Sequence, residues 1–179
     1  MAAEALKERP GAVTFKGEPK TLVGPELHVG DALPDFRLTA TDLSTVTPQM
    51  LTNEGKRAAL LIVVPSLDTG VCSLESKTFN GRIGELPADV TGFVVSRDLP
   101  FAMGRWAKEQ GDVKLQMLSD HRDHSFGRTM GLEMKELGLL ARAVIVVGKD
   151  GRTRYFQLVR EVTSEPNYDE AIAAAKSAA

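Results

Sequence analysis

The chain has 179 residues, 42% of them apolar and 26% charged, with a formal net charge of −2. That is enough for one domain with a real core, and the near-neutral balance gives no electrostatic reason to expect nucleic acid or an anionic membrane surface as a partner. One cysteine excludes an intrachain disulfide and a disulfide-stapled secreted scaffold, and it fits a reducing, cytoplasmic compartment.

Residues 1–12 are short of large apolar side chains and show no apolar signal-peptide core, so they are expected to form a flexible arm. Residues 13–179 read as a single domain. Val13-Thr14-Phe15 and Thr21-Leu22-Val23 flank Lys16-Gly17-Glu18-Pro19-Lys20, which predicts a short β-hairpin. Phe36-Arg37-Leu38-Thr39 alternates apolar and polar and is a candidate strand. Thr47-Pro48 suits the opening of one helical turn. Ala58 to Val64 is continuously apolar, the signature of a strand covered on both faces. With Pro65 it is the longest apolar run in the chain, too short to span a membrane. Val90 to Val95 and Ala143 to Val147 repeat the type. Lys149-Asp150-Gly151 is a turn signal, and Thr153 to Val159 reads as the hairpin partner beyond it.

Helices are predicted between these strands. From Cys72 to Pro87, Leu74, Phe79, Ile83 and Leu86 are expected on one buried face. Leu99 to Gln110 has Pro100 for its first turn and Gly111 at its end. Asp123 to Met130 is shorter, and Tyr168 to Ala178 is Ala-rich. Alternating strands and helices imply an α/β sheet with helices on both faces.

The lone Cys72 reads by itself as a small buried hydrophobe. Its context points elsewhere. Pro65 ends a strand, Ser66 to Gly70 make a polar loop, and Cys72 falls in the first turn of the next helix. Sites in open α/β sheets collect at the carboxyl ends of strands, and free N–H groups at a helix start favour an anion. Bringing a free thiol from a pKa of about 8.5 to about 6 takes about 3.4 kcal/mol. A helix end contributes about 0.3–2 kcal/mol, so a cation or further hydrogen bonds are needed. Arg142, just before the third apolar strand, is a candidate for that cation, although taken alone it reads as a surface charge. Thr69 suits both a helix N-cap and a donor to the sulfur or to a bound oxygen, and Pro65 suits a shield against water.

The stretch Pro65-Ser66-Leu67-Asp68-Thr69-Gly70-Val71-Cys72 resembles the Pro-x-x-x-Thr-x-x-Cys motif of peroxiredoxins. It is most similar to the bacterial thiol peroxidase subfamily, where a Ser-x-Asp-Thr-Gly-Val-Cys form is typical. The likeness extends to Val29-Gly30-Asp31, Pro34-Asp35-Phe36, Asp98-Leu99-Pro100-Phe101-Ala102, Ala141-Arg142-Ala143-Val144 and Glu161-Val162-Thr163. It implies a thioredoxin-like fold, a central mixed sheet with helices on both faces and an N-terminal β-hairpin. It implies Cys72 as the peroxidatic cysteine, Thr69 and Pro65 as its shell, and Arg142 as the activating arginine. The thiolate would attack the terminal oxygen of a peroxide, leaving water or an alcohol and a Cys72 sulfenic acid. No metal and no organic cofactor is implied. His121 and His124, three residues apart, read as a solvated helix start and not as a metal site.

One departure matters. In this subfamily a resolving cysteine usually lies in the helix after Asp-Leu-Pro-Phe-Ala, and Ala107 stands in that place here. A natural one-cysteine enzyme, an engineered alanine and resolution by an external thiol all fit. In each case thioredoxin, glutathione or another small thiol must reduce the sulfenic acid directly. A redox sensor or relay is the alternative function, and a binding module with a structural cysteine is a third. The resemblance also suggests a homodimer, for which Phe101, Met103 and Trp106 are candidate surface residues.

Overall fold

The computed structural model describes residues 6–179. The chain starts with a hairpin, β1 (Glu8–Phe15) and β2 (Glu18–Val23), then β3 (Leu38–Ala40), β4 (Thr45–Val46) and the single turn α1 (Pro48–Leu51). Next come β5 (Ala58–Val63), α2 (Gly70–Arg82), a 3-10 turn at Ile83–Glu85, β6 (Val90–Ser96), α3 (Pro100–Gln110) and β7 (Gln116–Ser119). The last part holds α4 (Ser125–Thr129), β8 (Glu133–Met134), β9 (Leu139–Leu140), β10 (Ala143–Val147), β11 (Thr153–Leu158) and α5 (Tyr168–Ser177).

Seven strands pair in the order β11-β10-β5-β6-β7-β3-β4. β5, β6 and β7 are parallel, and the other neighbours are antiparallel, so the sheet is mixed. Every residue of β5 is buried because its alternate side chains enter two different cores. Leu60 and Ile62 pack with Phe79, Met103, Trp106 and Ile172, under α2, α3 and α5. Leu61 and Val63 pack with Phe36, Leu51, Phe126 and Met130, under α1 and α4 on the opposite face. The expected α/β architecture, with helices on both faces and an N-terminal hairpin, is the one observed.

A second, antiparallel sheet has the order β1-β2-β8-β9 and covers Val13, Leu22, Met134, Ala141 and Val162. Glu161 fastens the hairpin tip. Its carboxylate accepts the Thr14 hydroxyl at 2.6 Å, the N–H groups of Lys16 and Gly17 at 3.0 Å, and the Thr163 hydroxyl. Bonds from Thr14, Thr163 and Gly17 hold the Glu161 carboxyl down at about 2, below its ordinary 4.5. A depressed carboxyl stabilises the fold above its unfolded value and stops doing so as pH falls through its folded value. Glu161→Gln is therefore expected to lower the melting temperature at neutral pH. That difference from the parent protein should fade between pH 4.5 and 2; a difference independent of pH would contradict the assignment.

Several expectations are corrected. Residues 8–12, expected in a flexible arm, begin β1: Glu8 pairs with Val23 and Arg9 with Leu22, and a bulge separates these from Val13↔Lys20. The Arg9 guanidinium also donates to the carbonyls of Gly24 and Gly131. Main-chain pairing and one arginine hold this stretch, so its lack of apolar side chains is no guide. Residues 1–5 of that arm lie outside the described residues. Leu74 is 50% exposed and not on the buried face of α2. That face carries Cys72, Glu75, Ser76 and Phe79, and two of the four are polar, which hides it from an apolar count. β7 was not expected, because Gln-Met-Leu-Ser carries little strand preference. It is a strand because β6 and β3 flank it. Met103 and Trp106 are core residues and cannot serve as a dimer surface, whereas Phe101 is 69% exposed.

Candidate active site

β5 stops at Val63, and Pro65, with no N–H to give, cannot extend the ladder. Ser66 to Thr69 form a turn in which the Thr69 N–H and hydroxyl both donate to the Ser66 carbonyl, at 3.2 and 3.0 Å. Thr69 is then the N-cap of α2, in extended conformation, and its Oγ1 accepts the Cys72 N–H at 3.4 Å. Cys72 is the third residue of the helix. It thus sits among first-turn N–H groups that lack intrahelical acceptors, at the positive end of the helix dipole.

Arg142 reaches the sulfur from the other side of the chain. It lies between β9 and β10, where the two sheets meet, and its carbonyl accepts the Val159 N–H at 3.0 Å. It is not the surface charge that it resembles in isolation, being only 2% exposed. Its Nε donates to the Val162 carbonyl at 2.8 Å, its Nη1 to the Glu75 carboxylate, and its Nη2 to Cys72 Sγ at 3.2 Å. A guanidinium has five N–H donors in a fixed fork. Three are engaged here, which leaves one on each terminal nitrogen for an incoming oxygen.

Glu75 was missed from sequence. It follows Cys72 by three residues, so both occupy one face of α2. That spacing was the available signal. A carboxylate on the stripe that includes Phe79 must find a partner when buried. Glu75 is fully buried; its Oε2 meets Arg142, and its Oε1 has no hydrogen-bond partner. Burial pushes the Glu75 carboxyl up to about 7 while Arg142 pulls it down. For Arg142, burial acts to lower its pKa, but Glu75 and then Cys72 outweigh this and raise it, so the cation stays charged.

All four residues singled out from sequence, Pro65, Thr69, Cys72 and Arg142, line one cleft of about 310 Å³. Phe15 and Lys16 from the hairpin tip and Val162 complete much of its wall, and most of the lining is apolar. Cys72 is wholly buried at this cleft. A larger hollow beside Leu33, Pro48, Thr52 and Lys149 shares no residue with it and holds no thiol, so volume alone does not mark the site. Ala107 is partly buried against the same core cluster that contains Cys72. Its neighbour Trp106 donates from Nε1 to Ser73 Oγ at 3.2 Å. His121 lies 3.0 Å from the Ser119 hydroxyl, and Asp120 accepts the first-turn N–H groups of Phe126 and Gly127 in α4. Among the described residues no group of three or more His, Cys, Asp or Glu side chains is placed to hold a metal ion.

The redoxin family profile matches residues 28–172. A thiol peroxidase from Bacillus subtilis (strain 168) is 44% identical over 165 residues, 92% of this chain and 96% of that one. A thiol peroxidase from Streptococcus pneumoniae (strain ATCC BAA-255 / R6) is 47% identical over 165 residues, 92% of this chain and 99% of that one. Among solved structures, a peroxiredoxin-like protein from Aquifex aeolicus superposes with a TM-score of 0.86 at 37% identity, covering 98% of this chain and 100% of that one. A thiol peroxidase from Chromobacterium violaceum shares the fold, with a TM-score of 0.79 at 18% identity over 94% of this chain and 93% of that one. Alike in sequence over nearly its whole length and alike in fold, this chain belongs to the redoxin family, in its bacterial thiol peroxidase branch.

Proposed function

We propose that the protein is a thiol-dependent peroxidase in which Cys72 is the nucleophile and an external thiol is the reductant. The observation that carries this reading is the 3.2 Å contact between Arg142 Nη2 and the sulfur of the chain's single thiol, Cys72, inside a cleft. The Cys72 thiolate attacks the terminal peroxide oxygen. An S–O bond forms, the O–O bond breaks, and the leaving oxygen takes a proton to become water or an alcohol. The sulfur is oxidised by two electrons to a sulfenic acid. Arg142 and the first-turn N–H groups of α2 stabilise the charge that moves onto the leaving oxygen. Thr69 fixes the helix start, Pro65 keeps water from the sulfur, and Glu75 fixes the plane of the guanidinium.

With no second cysteine in the chain, the sulfenic acid is reduced from outside. A thiol of thioredoxin or a small molecule displaces the oxygen as water and forms a mixed disulfide. A second thiol then releases Cys72. The mostly apolar cleft suits organic hydroperoxides as well as hydrogen peroxide. The exposed Leu74, Leu99 and Phe101 lie on α2 and at the start of α3 and suit the contact face of a homodimer. No helix among the described residues is long and apolar enough to cross a membrane; with a single free thiol, this favours work in the cytoplasm.

Stopped-flow mixing of the reduced protein with hydrogen peroxide and with an organic hydroperoxide tests the reading. Cys72 is expected to react orders of magnitude faster than free cysteine, and Cys72→Ser to abolish the reaction. Equal rates for Cys72 and free cysteine would defeat it. A redox relay would share this first step. Sustained turnover with thioredoxin and its reductase, or with glutathione, is the outcome expected of an enzyme and not of a relay.

A further inference from the structure

The geometry points to Asp98 as a positioning residue that latches the cysteine loop closed. Asp98 stands between β6 and α3. Its Oδ1 accepts the Ser66 hydroxyl at 2.7 Å, and its Oδ2 accepts the Leu67 N–H and the Ser96 hydroxyl, both at 2.8 Å. Its own carbonyl accepts the buried Ser119 hydroxyl, which anchors the aspartate to β7. Among the described residues, Asp98 is the partner in both hydrogen bonds that tie Ser66 and Leu67 to another part of the chain. The other polar tie of this loop, Asp68 to Arg105 at 3.6 Å, is exposed on both sides and holds little.

The bonds continue inward. Ser66 accepts from Thr69, and Thr69 accepts from the Cys72 N–H. A carboxylate outside the cleft therefore sets the N-cap of α2, and through it the sulfur that Arg142 meets. Closed, the loop keeps Cys72 wholly buried and aligned. A small hydroperoxide enters the cleft of about 310 Å³ with the loop closed, whereas a protein thiol must wait for the first turn of α2 to open. Releasing Asp98 consequently acts in opposite directions on the two halves of the cycle. This rests on the reading of Cys72 as the peroxidatic residue.

The test compares the parent protein with Asp98→Ala, Asp98→Asn and Ser66→Ala. Loss of charge-assisted hydrogen bonds in Asp98→Ala is expected to slow the peroxide reaction by about tenfold or more and to speed reduction of the sulfenic acid by thioredoxin by a similar factor. Hydrogen exchange at amides 67–73 should accelerate, while exchange in β5 and β6 stays slow. Asp98→Asn keeps an acceptor for the Leu67 N–H and should restore most of the difference. Ser66→Ala, which removes the Oδ1 bond alone, should move each rate the same way by less. Unchanged exchange at 67–73, exchange raised equally in the central strands, both rates falling together, or an asparagine variant no better than alanine would each overturn the latch. The exchange arm needs no peroxide. A parent protein unreactive toward peroxide would thus sink the peroxidase reading, while the latch would still be decided.

Discussion

Replacing Arg142 with methionine is expected to slow the reaction of Cys72 with peroxide by at least about a hundredfold, the scale of losing one preorganised donor to a developing oxyanion. The loss should exceed that figure, because the same guanidinium faces the sulfur and retains two N–H groups for the substrate. Stability should fall as well. Arg142 is the hydrogen-bond partner of a carboxylate that is otherwise alone in the core. Breaking one side of a buried ion pair typically costs about 3–5 kcal/mol. Protonation of Glu75, whose carboxyl already sits at about 7, limits that cost. The two effects separate in a double variant. Glu75→Gln with Arg142→Met should recover much of the stability in urea denaturation and none of the rate. Arg142→Lys should remain slow, since one ammonium cannot meet Val162, Glu75 and Cys72 together. A methionine variant with the parent's rate would remove Arg142 from the chemistry.

Introducing a thiol by Ala107→Cys is expected to change the outcome of oxidation. The parent protein should stop at a Cys72 sulfenic acid and, in excess peroxide, proceed to the sulfinic acid. The variant should instead form an intrachain disulfide between positions 72 and 107, seen as a two-dalton mass loss and the disappearance of both free thiols. Its hyperoxidation should drop and its turnover with thioredoxin should rise. A disulfide needs Cα atoms about 4.4–6.8 Å apart with Cβ vectors facing, and Cys72 is buried within a helix. The first turn of α2 is expected to unwind as the bond forms. That movement should break the Trp106–Ser73 hydrogen bond, so the fluorescence of the single tryptophan is expected to change in step with the disulfide. A persistent sulfenic acid with two free thiols would mean that position 107 is not the resolving place.

Much of the fold was legible. The runs at 58–64, 90–95 and 143–147 are apolar without alternation because both faces of the sheet are covered, so neither side of these strands has to meet water. The loop at Pro65–Cys72 was legible too, since a proline stop, a polar turn and a hydroxyl three residues before a cysteine are all local signals. Less local features were misread or missed. Counting apolar residues places Leu74 inward, on a helix whose inner face is in fact partly polar. Residues 8–12 look like an arm because their strand is made by main-chain pairing. Glu75 looks like any surface glutamate.

The sequence by itself determined where strands and helices alternate and which residue carries the only thiol. Those properties depend on side-chain periodicity and on neighbours within one or two turns. Tertiary structure alone decided what surrounds that sulfur. Arg142 comes to Cys72 across 70 positions because β10 pairs antiparallel with β5, with Ala143 opposite Val63, and so returns the chain to the loop that β5 feeds. Glu75 became a buried partner of that arginine because α2 turns its polar stripe toward the sheet. Asp98 reaches Ser66 across 32 positions through the parallel pairing of β5 with β6. Strand register sets these meetings, and it follows from the packing of the whole sheet and from no single stretch of the chain.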